Sequence, residues 1–296
     1  MFGLGAVLAK FLSAEIDASV VAFLALFIGG LLLAFGLVLT RHSLIKSLAL
    51  FKRGDWLHLF LLAFPGTSLP LLFIVAGFAR TSALVGGFLL QLNGVAGLVF
   101  AVILLKERIH QKQGIGILLL LLGSALIIFT GAQDTQKASW QNGLIGDLLI
   151  FIGALGLGYS YIPAKRLVQH VNTLPLTSLR LLLGAATLLP VLAFQLLFRT
   201  HVLLWQPSPA VLLLALPIYI VTNFCIAYLA QQEGLRLLPA WEIASIMQTV
   251  PLFSTIFALL LLHDSMTLMQ VAGGALALVG GVIVSVSGVE QNRAAG

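Results

Sequence analysis

Gln91 and Gln248 stand near the middle of two apolar runs. A side-chain amide carries donors and an acceptor that hydrocarbon cannot satisfy. Each glutamine must therefore meet a neighbouring helix or a ligand, and the residues alone weigh those two roles equally. Asn93 and Thr249 accompany them with the same choice open. Glu242, Ser245 and Thr249 recur at helical spacing and make a polar stripe. The Glu242 carboxylate suits a substrate amine or a proton, whereas its neighbour Trp241 favours an interfacial anchor. Arg180 lies a few residues inside one apolar run, and Asp147 a few inside the run before it. Either would attract a charged group, pair with the other, or snorkel to the interface, which is the simplest expectation for both. Tyr159 and Asn223 add a phenol and an amide to flanking helices, while Tyr161, Tyr219 and Tyr228 are expected in an interfacial belt. Gln231–Gly234 is expected to be a solvated helix end.

These groups bind; they do not break bonds. No HExxH, GxSxG, paired-aspartate or P-loop motif occurs, and the six histidines form no ligand cluster. The single Cys225 excludes an intrachain disulfide and any multi-cysteine metal site. The expectation is a protein without catalytic residue, metal or cofactor. Its candidate substrate-binding set is Gln91, Asn93, Gln248, Thr249, Glu242, Ser245, Tyr159, Asn223 and Arg180.

The elements that must position this set are membrane helices. The chain has 296 residues, 60% hydrophobic and 9% charged. A soluble domain carries about 25% charged residues to wet its surface, so a soluble enzyme is excluded. At about 20 apolar residues per pass plus a short connection, the length holds about ten helices. Apolar runs predict spans at 19–38, 56–78, 82–105, 114–131, 143–164, 176–198, 209–230, 238–262 and 268–288. Residues 1–12 are apolar but too short to cross, and no basic segment precedes them as in a signal peptide. They are expected to be the second half of a tenth helix.

With that helix counted and the N-terminus inside, eleven basic residues fall in inside connections and four (Lys10, Arg80, Lys137 and Arg199) in outside ones. This positive-inside bias puts both termini in the cytoplasm. It also explains the net charge of +6 without nucleic acid, for which no basic patch interleaved with aromatics exists.

The chain also repeats. A shift of 157 positions aligns residues 90–131 with 247–288 without a gap, pairing Gln91 with Gln248, Gly116 with Gly273 and Gly123 with Gly280. Two five-helix repeats have opposite orientation because five is odd, a construction common among carriers. The organisation is residues 1–131 as the first repeat, 132–142 as linker, 143–288 as the second repeat and 289–296 as a cytoplasmic tail.

With these residues in view, the sequence resembles the drug/metabolite transporter superfamily, in particular its ten-helix EamA-type members. The resemblance is carried by FLLQLNG (from Phe88) through ALII (ending at Ile128), by Gly234–Val284, by GLGAVLAK near the start and by SLRLLLGA at Ser178–Ala185. In each half a helix ends in an acidic residue, here Glu107 and Asp264, before a turn and a glycine-rich helix. Asn93-Gly94 replaces the proline that the family often has and that the second half keeps as Pro251; Leu26 stands where many members carry arginine. The resemblance implies an inner- or plasma-membrane carrier exporting small metabolites such as amino acids by alternating access. Protons are a candidate coupling ion, and the carrier is a monomer or homodimer. The competing class is a membrane scaffold or receptor subunit, which has no need of matched midplane amides.

Overall fold

The computed structural model describes residues 2–39, 51–90, 92–105, 140–198, 204–238 and 268–295, with single positions or pairs at 112, 114–116, 118–119, 122–123, 126, 243 and 247. All regular elements among them are helices: α1 (Phe2–Glu15), α2 (Ala18–Leu39), α3 (Asp55–Ala63), α4 (Leu69–Phe78), α5 (Ala83–Leu89), α6 (Leu92–Leu105), α7 (Trp140–Tyr159), α8 (Tyr161–Leu167), α9 (Thr173–Phe198), α10 (Leu216–Tyr219), α11 (Tyr228–Leu237) and α12 (Leu268–Ala295). Wider π turns join α3 to α4 at Phe64–Ser68, precede α10 at Val211–Ala215, and join α10 to α11 at Ile220–Ala227.

Among the described residues, five helices are long and apolar enough to cross a membrane: Ala18–Leu39, Asp55–Phe78, Gly143–Leu167, Thr173–Leu197 and Val211–Leu237. The predicted spans at 19–38, 56–78, 143–164, 176–198 and 209–230 coincide with these. The predicted span at 82–105 is present as two short helices, α5 and α6, and the span at 268–288 lies within α12. Most of the spans at 114–131 and 238–262 lie outside the described residues. The helices are apolar all round, so the buried side is chosen by packing rather than by polarity. Leu197 (78% exposed), Leu213 (74%) and Leu39 (68%) show the outer wall, which needs lipid rather than water.

The most extensive packing joins α2 to α9, then α4 to α7 and α6 to α7. The core runs through Leu12, Leu26, Val75, Phe78, Leu89, Ile150, Leu181 and Phe224. A second cluster, around Leu59, Leu62, Tyr161, Leu167, Leu176 and Leu235, fills one end. Small residues let the backbones close up, as in other lipid-embedded bundles. A Cβ on Gly123 would lie 2.5 Å from the Gly273 carbonyl oxygen and 2.6 Å from the Ala277 nitrogen of α12.

Two helix C-termini are closed by lysines. Lys10 of α1 donates through Nζ to the carbonyls of Phe78 (2.8 Å) and Thr81 (2.7 Å), where α4 ends. Lys165 of α8 donates in the same way to Leu235 (2.7 Å) and Leu238 (2.8 Å), where α11 ends. The last carbonyls of a helix lack intrahelical donors and carry its negative dipole end, so an ammonium satisfies both needs. The two clamps lie at opposite ends of the bundle: Gly146 of α7 packs on Arg80 beside the first, and Lys165 of the second is 19 residues further on, about 28 Å at 1.5 Å per residue.

Candidate functional site

A cavity, partly open to the outside, is lined by α1, α4, α7, α8, α9, α10 and α11 together with Leu90, Asn93, Asn223, Phe224 and Met247. One corner of its wall is set by the π turn Phe64–Ser68, through the groups that this turn offers to Arg180. Proline has no N–H to give the carbonyl four residues back, so Pro70 leaves the Gly66 carbonyl free. Thr67 meanwhile donates its hydroxyl to the Leu62 carbonyl at 2.7 Å.

Arg180, 1% exposed on α9, uses both groups. Its Nε donates to the Thr67 hydroxyl oxygen at 2.6 Å; its Nη2 donates to the Gly66 carbonyl at 3.3 Å and to the Ser160 hydroxyl at 3.4 Å. The guanidinium carbon lies 4.4 Å from the centroid of the Tyr228 ring, a cation–π contact. Neither snorkelling nor a pair with Asp147 is found. The reason is local: a proline-freed carbonyl and two hydroxyls offer this cation acceptors inside the bundle. No carboxylate faces it among the described residues. A cation buried without a counter-charge is costly unless a partner arrives.

The polar rim continues from Arg180. Tyr161 donates its hydroxyl to Asn93 Oδ1 at 3.1 Å, and the Gln231 side chain meets the same hydroxyl. Asn223 donates from Nδ2 to the Tyr219 carbonyl (3.3 Å) and the Thr222 hydroxyl (3.0 Å). Its Oδ1 faces Gly5 of α1, where any Cβ would overlap it. The opposite wall is apolar: Leu71, Ile74, Phe78, Leu90, Leu157 and Phe224. The site therefore offers one fixed cation, several amides and phenols, and a hydrophobic face. That is the usual mix of a small-molecule pocket.

Of the residues singled out in the sequence, Asn93, Arg180 and Asn223 line this cavity. Tyr159 does not: its ring meets Phe100 edge-on at 5.6 Å in an outer groove beside Pro65, Pro70 and Phe73. Gln91, Glu242, Ser245, Gln248 and Thr249 lie outside the described residues. The belt assignment fails for Tyr161, Tyr219 and Tyr228, which are buried in the wall. It fails because each finds a partner within the bundle: Asn93 for the Tyr161 hydroxyl, the Arg180 guanidinium for the Tyr228 ring and the Phe224 ring for Tyr219. Gln231 and Gln232, 9% and 0% exposed, are likewise not a solvated helix end, since α11 is packed between α8 and α9.

Comparison with known proteins agrees with this architecture. The model of the EamA-like transporter family matches residues 1–129 and 144–286. The uncharacterized transporter YyaM of Bacillus subtilis is 26% identical over 213 residues, 72% of this chain and 67% of that protein. An uncharacterized transporter of Archaeoglobus fulgidus is 26% identical over 256 residues, 84% of this chain and 85% of its relative. One crystal structure superposes with a TM-score of 0.69 at 16% identity, over 98% of this chain and 97% of that one; this likeness is one of fold. Membrane-length helices around a polar-rimmed cavity, and a family model spanning nearly all of the sequence, lead to one assignment: the chain belongs to the EamA-like transporter family.

Proposed function

We propose that this protein exports small amphiphilic carboxylates, amino acids first among them, by alternating access across the inner or plasma membrane. The observation that carries this is Arg180: a buried guanidinium on a cavity wall, with no carboxylate facing it among the described residues. A substrate carboxylate supplies the missing charge, and an apolar or aromatic side chain fits the Leu71, Phe78 and Phe224 wall. Asn93, Asn223 and Gln231 are placed to receive the ammonium or other polar groups of the same molecule.

The inverted repeat is the framework of this proposal, and several offsets support it. Advanced by 157 positions, Ala18–Leu39 becomes 175–196, against α9 at Thr173–Phe198; the π turn Phe64–Ser68 becomes 221–225, inside the π turn Ile220–Ala227. The lysine-clamped carbonyls of Phe78 and Thr81 become 235 and 238, which are those held by Lys165. The family model divides the chain at the same place. In this scheme Gln91 and Gln248 are equivalent midplane amides on the substrate path, both termini are cytoplasmic, and the protein acts as a monomer or homodimer.

The test is uptake into proteoliposomes of the purified chain from a panel of radiolabelled amino acids. L-Phenylalanine should enter and phenethylamine, which lacks the carboxylate, should not compete. Gln91→Ala and Gln248→Ala should each slow uptake about two- to tenfold, the scale of one lost hydrogen bond. Transport of no amino acid, or equal competition by phenethylamine, would overturn the proposal.

A further inference from the structure

The described carboxylates outside α12 fall into two kinds. Glu15 accepts from the Ser208 N–H at 2.6 Å, Asp17 from the Ser19 hydroxyl at 2.6 Å, Asp55 faces His170 at 2.8 Å, and Glu233 accepts from Thr173 at 2.8 Å. All four stand at or near helix ends. Asp147 is different. It lies inside the span Gly143–Leu167, it is 5% exposed, and its Oδ1 has no hydrogen-bond partner among the described residues. The Thr81 side chain is the polar group that meets this carboxyl.

No cation is ion-paired with Asp147 among the described residues, since those nearest to it are held on carbonyls. Arg80, at the end of α4, donates Nη1 to the Ala76 carbonyl at 2.7 Å. Lys10 of α1 is held on the carbonyls of Phe78 and Thr81. Residues 83–105, which include α5 and α6, and the π turn Phe64–Ser68 contain no titratable side chain. The cations of α8, Lys165 and Arg166, are at the far end of the bundle. An intramembrane carboxylate in such a place is stabilised by taking up a proton.

We propose, building on the transporter reading, that Asp147 is the proton-binding site of the transport cycle. The proton is taken from the water on the side where α4 ends and is released to the other side when the cavity opens there. Thr81 connects this site to the cavity: its side chain meets Asp147 while its carbonyl accepts from Lys10, whose neighbours Gly5, Ala6 and Ala9 line the cavity wall. When the proton leaves, the new anion draws the Lys10 ammonium away from the Phe78 and Thr81 carbonyls, and α1 shifts with it. When the proton returns, the clamp re-forms. Proton occupancy and cavity shape are thus linked through one lysine.

Infrared difference spectroscopy on the purified full chain in nanodiscs tests this without any substrate. A protonated-carboxyl band should titrate in the wild type, vanish in Asp147→Asn and return at a shifted frequency in Asp147→Glu. Should Asp147→Asn fail to fold, Thr81→Val should displace the pH midpoint of the band. A band identical in wild type and Asp147→Asn, or unmoved in Thr81→Val, overturns the proposal. In proteoliposomes, an imposed pH gradient should drive radiolabelled L-phenylalanine above equilibrium in the wild type and in Asp147→Glu but not in Asp147→Asn. Accumulation by Asp147→Asn equal to wild type overturns the coupling. If phenylalanine does not move in the wild type, the transport proposal has failed, while the infrared titration still decides whether Asp147 binds a proton.

Discussion

Arg180 concentrates the electrostatics of the cavity in one side chain. Its Nε and Nη2 are already committed to Thr67, Gly66 and Ser160, so the fork is held in place before anything binds. A pre-positioned cation spends little ordering entropy on its ligand. A hydrogen bond to a charged group is worth about 1.5–3 kcal/mol, so Arg180→Gln should weaken L-phenylalanine binding about ten- to a hundredfold. Arg180→Lys, which keeps the charge and loses the planar fork, should fall between. Scintillation-proximity binding on purified variants measures both. Unchanged affinity would remove Arg180 from the site. Arg180, Asn93 and Asn223 were conspicuous in the sequence as polar groups in apolar runs, although snorkelling was the simpler expectation for Arg180. The three buried tyrosines were not: phenols belong equally to a membrane interface and to a cavity wall, and only tertiary packing separates the two.

At the scale of elements, the π turns help to set which residues the helices beyond them turn inward. A π turn holds an extra residue, so the face that a helix presents rotates between its two ends. Beyond Ile220–Ala227 the buried side of α11 carries Tyr228, Gln231 and Gln232, which their place at the end of the predicted span at 209–230 had put at the interface or in water. Five of the spans were legible in the sequence, since their length and hydropathy do not depend on register. Pro70 ties this geometry to the site. Pro70→Ala restores an N–H that competes with Arg180 for the Gly66 carbonyl. This variant should fold at least as stably yet lose transport rate; wild-type uptake would show that the freed carbonyl is dispensable. The small-residue contact of α12 is structural by comparison. Gly123→Leu would drive a side chain into the Gly273 and Ala277 backbone, which cannot swing aside. Overpacking of this kind costs about 1–3 kcal/mol. The purified protein should melt earlier in detergent, and an unchanged Tm would mean that this face looks only at lipid.

For the whole molecule, the test of orientation is which loops meet which side. In a Cys225→Ala background, single cysteines at Lys46 and Arg108 should be shielded from an impermeant thiol reagent outside intact cells, and one at Lys137 should be labelled. The reverse pattern would invert the topology.

The two lysine clamps carry one more consequence, for chemistry done on living cells. An amine shared between two carbonyls has its nitrogen occupied and reacts slowly with acylating reagents; once released, the same amine reacts freely. Lys10 and Lys165 close helix ends on opposite faces of the bundle. Rigid-body rocking should therefore loosen one as it tightens the other. Brief acylation with isotope-coded reagent, followed by mass spectrometry of the two lysine peptides, should give a yield ratio that moves in opposite directions when substrate is supplied and withdrawn. The native protein would report which door stands open, with no label engineered into it. Two yields that rise and fall together would mean that the clamps are permanent rivets.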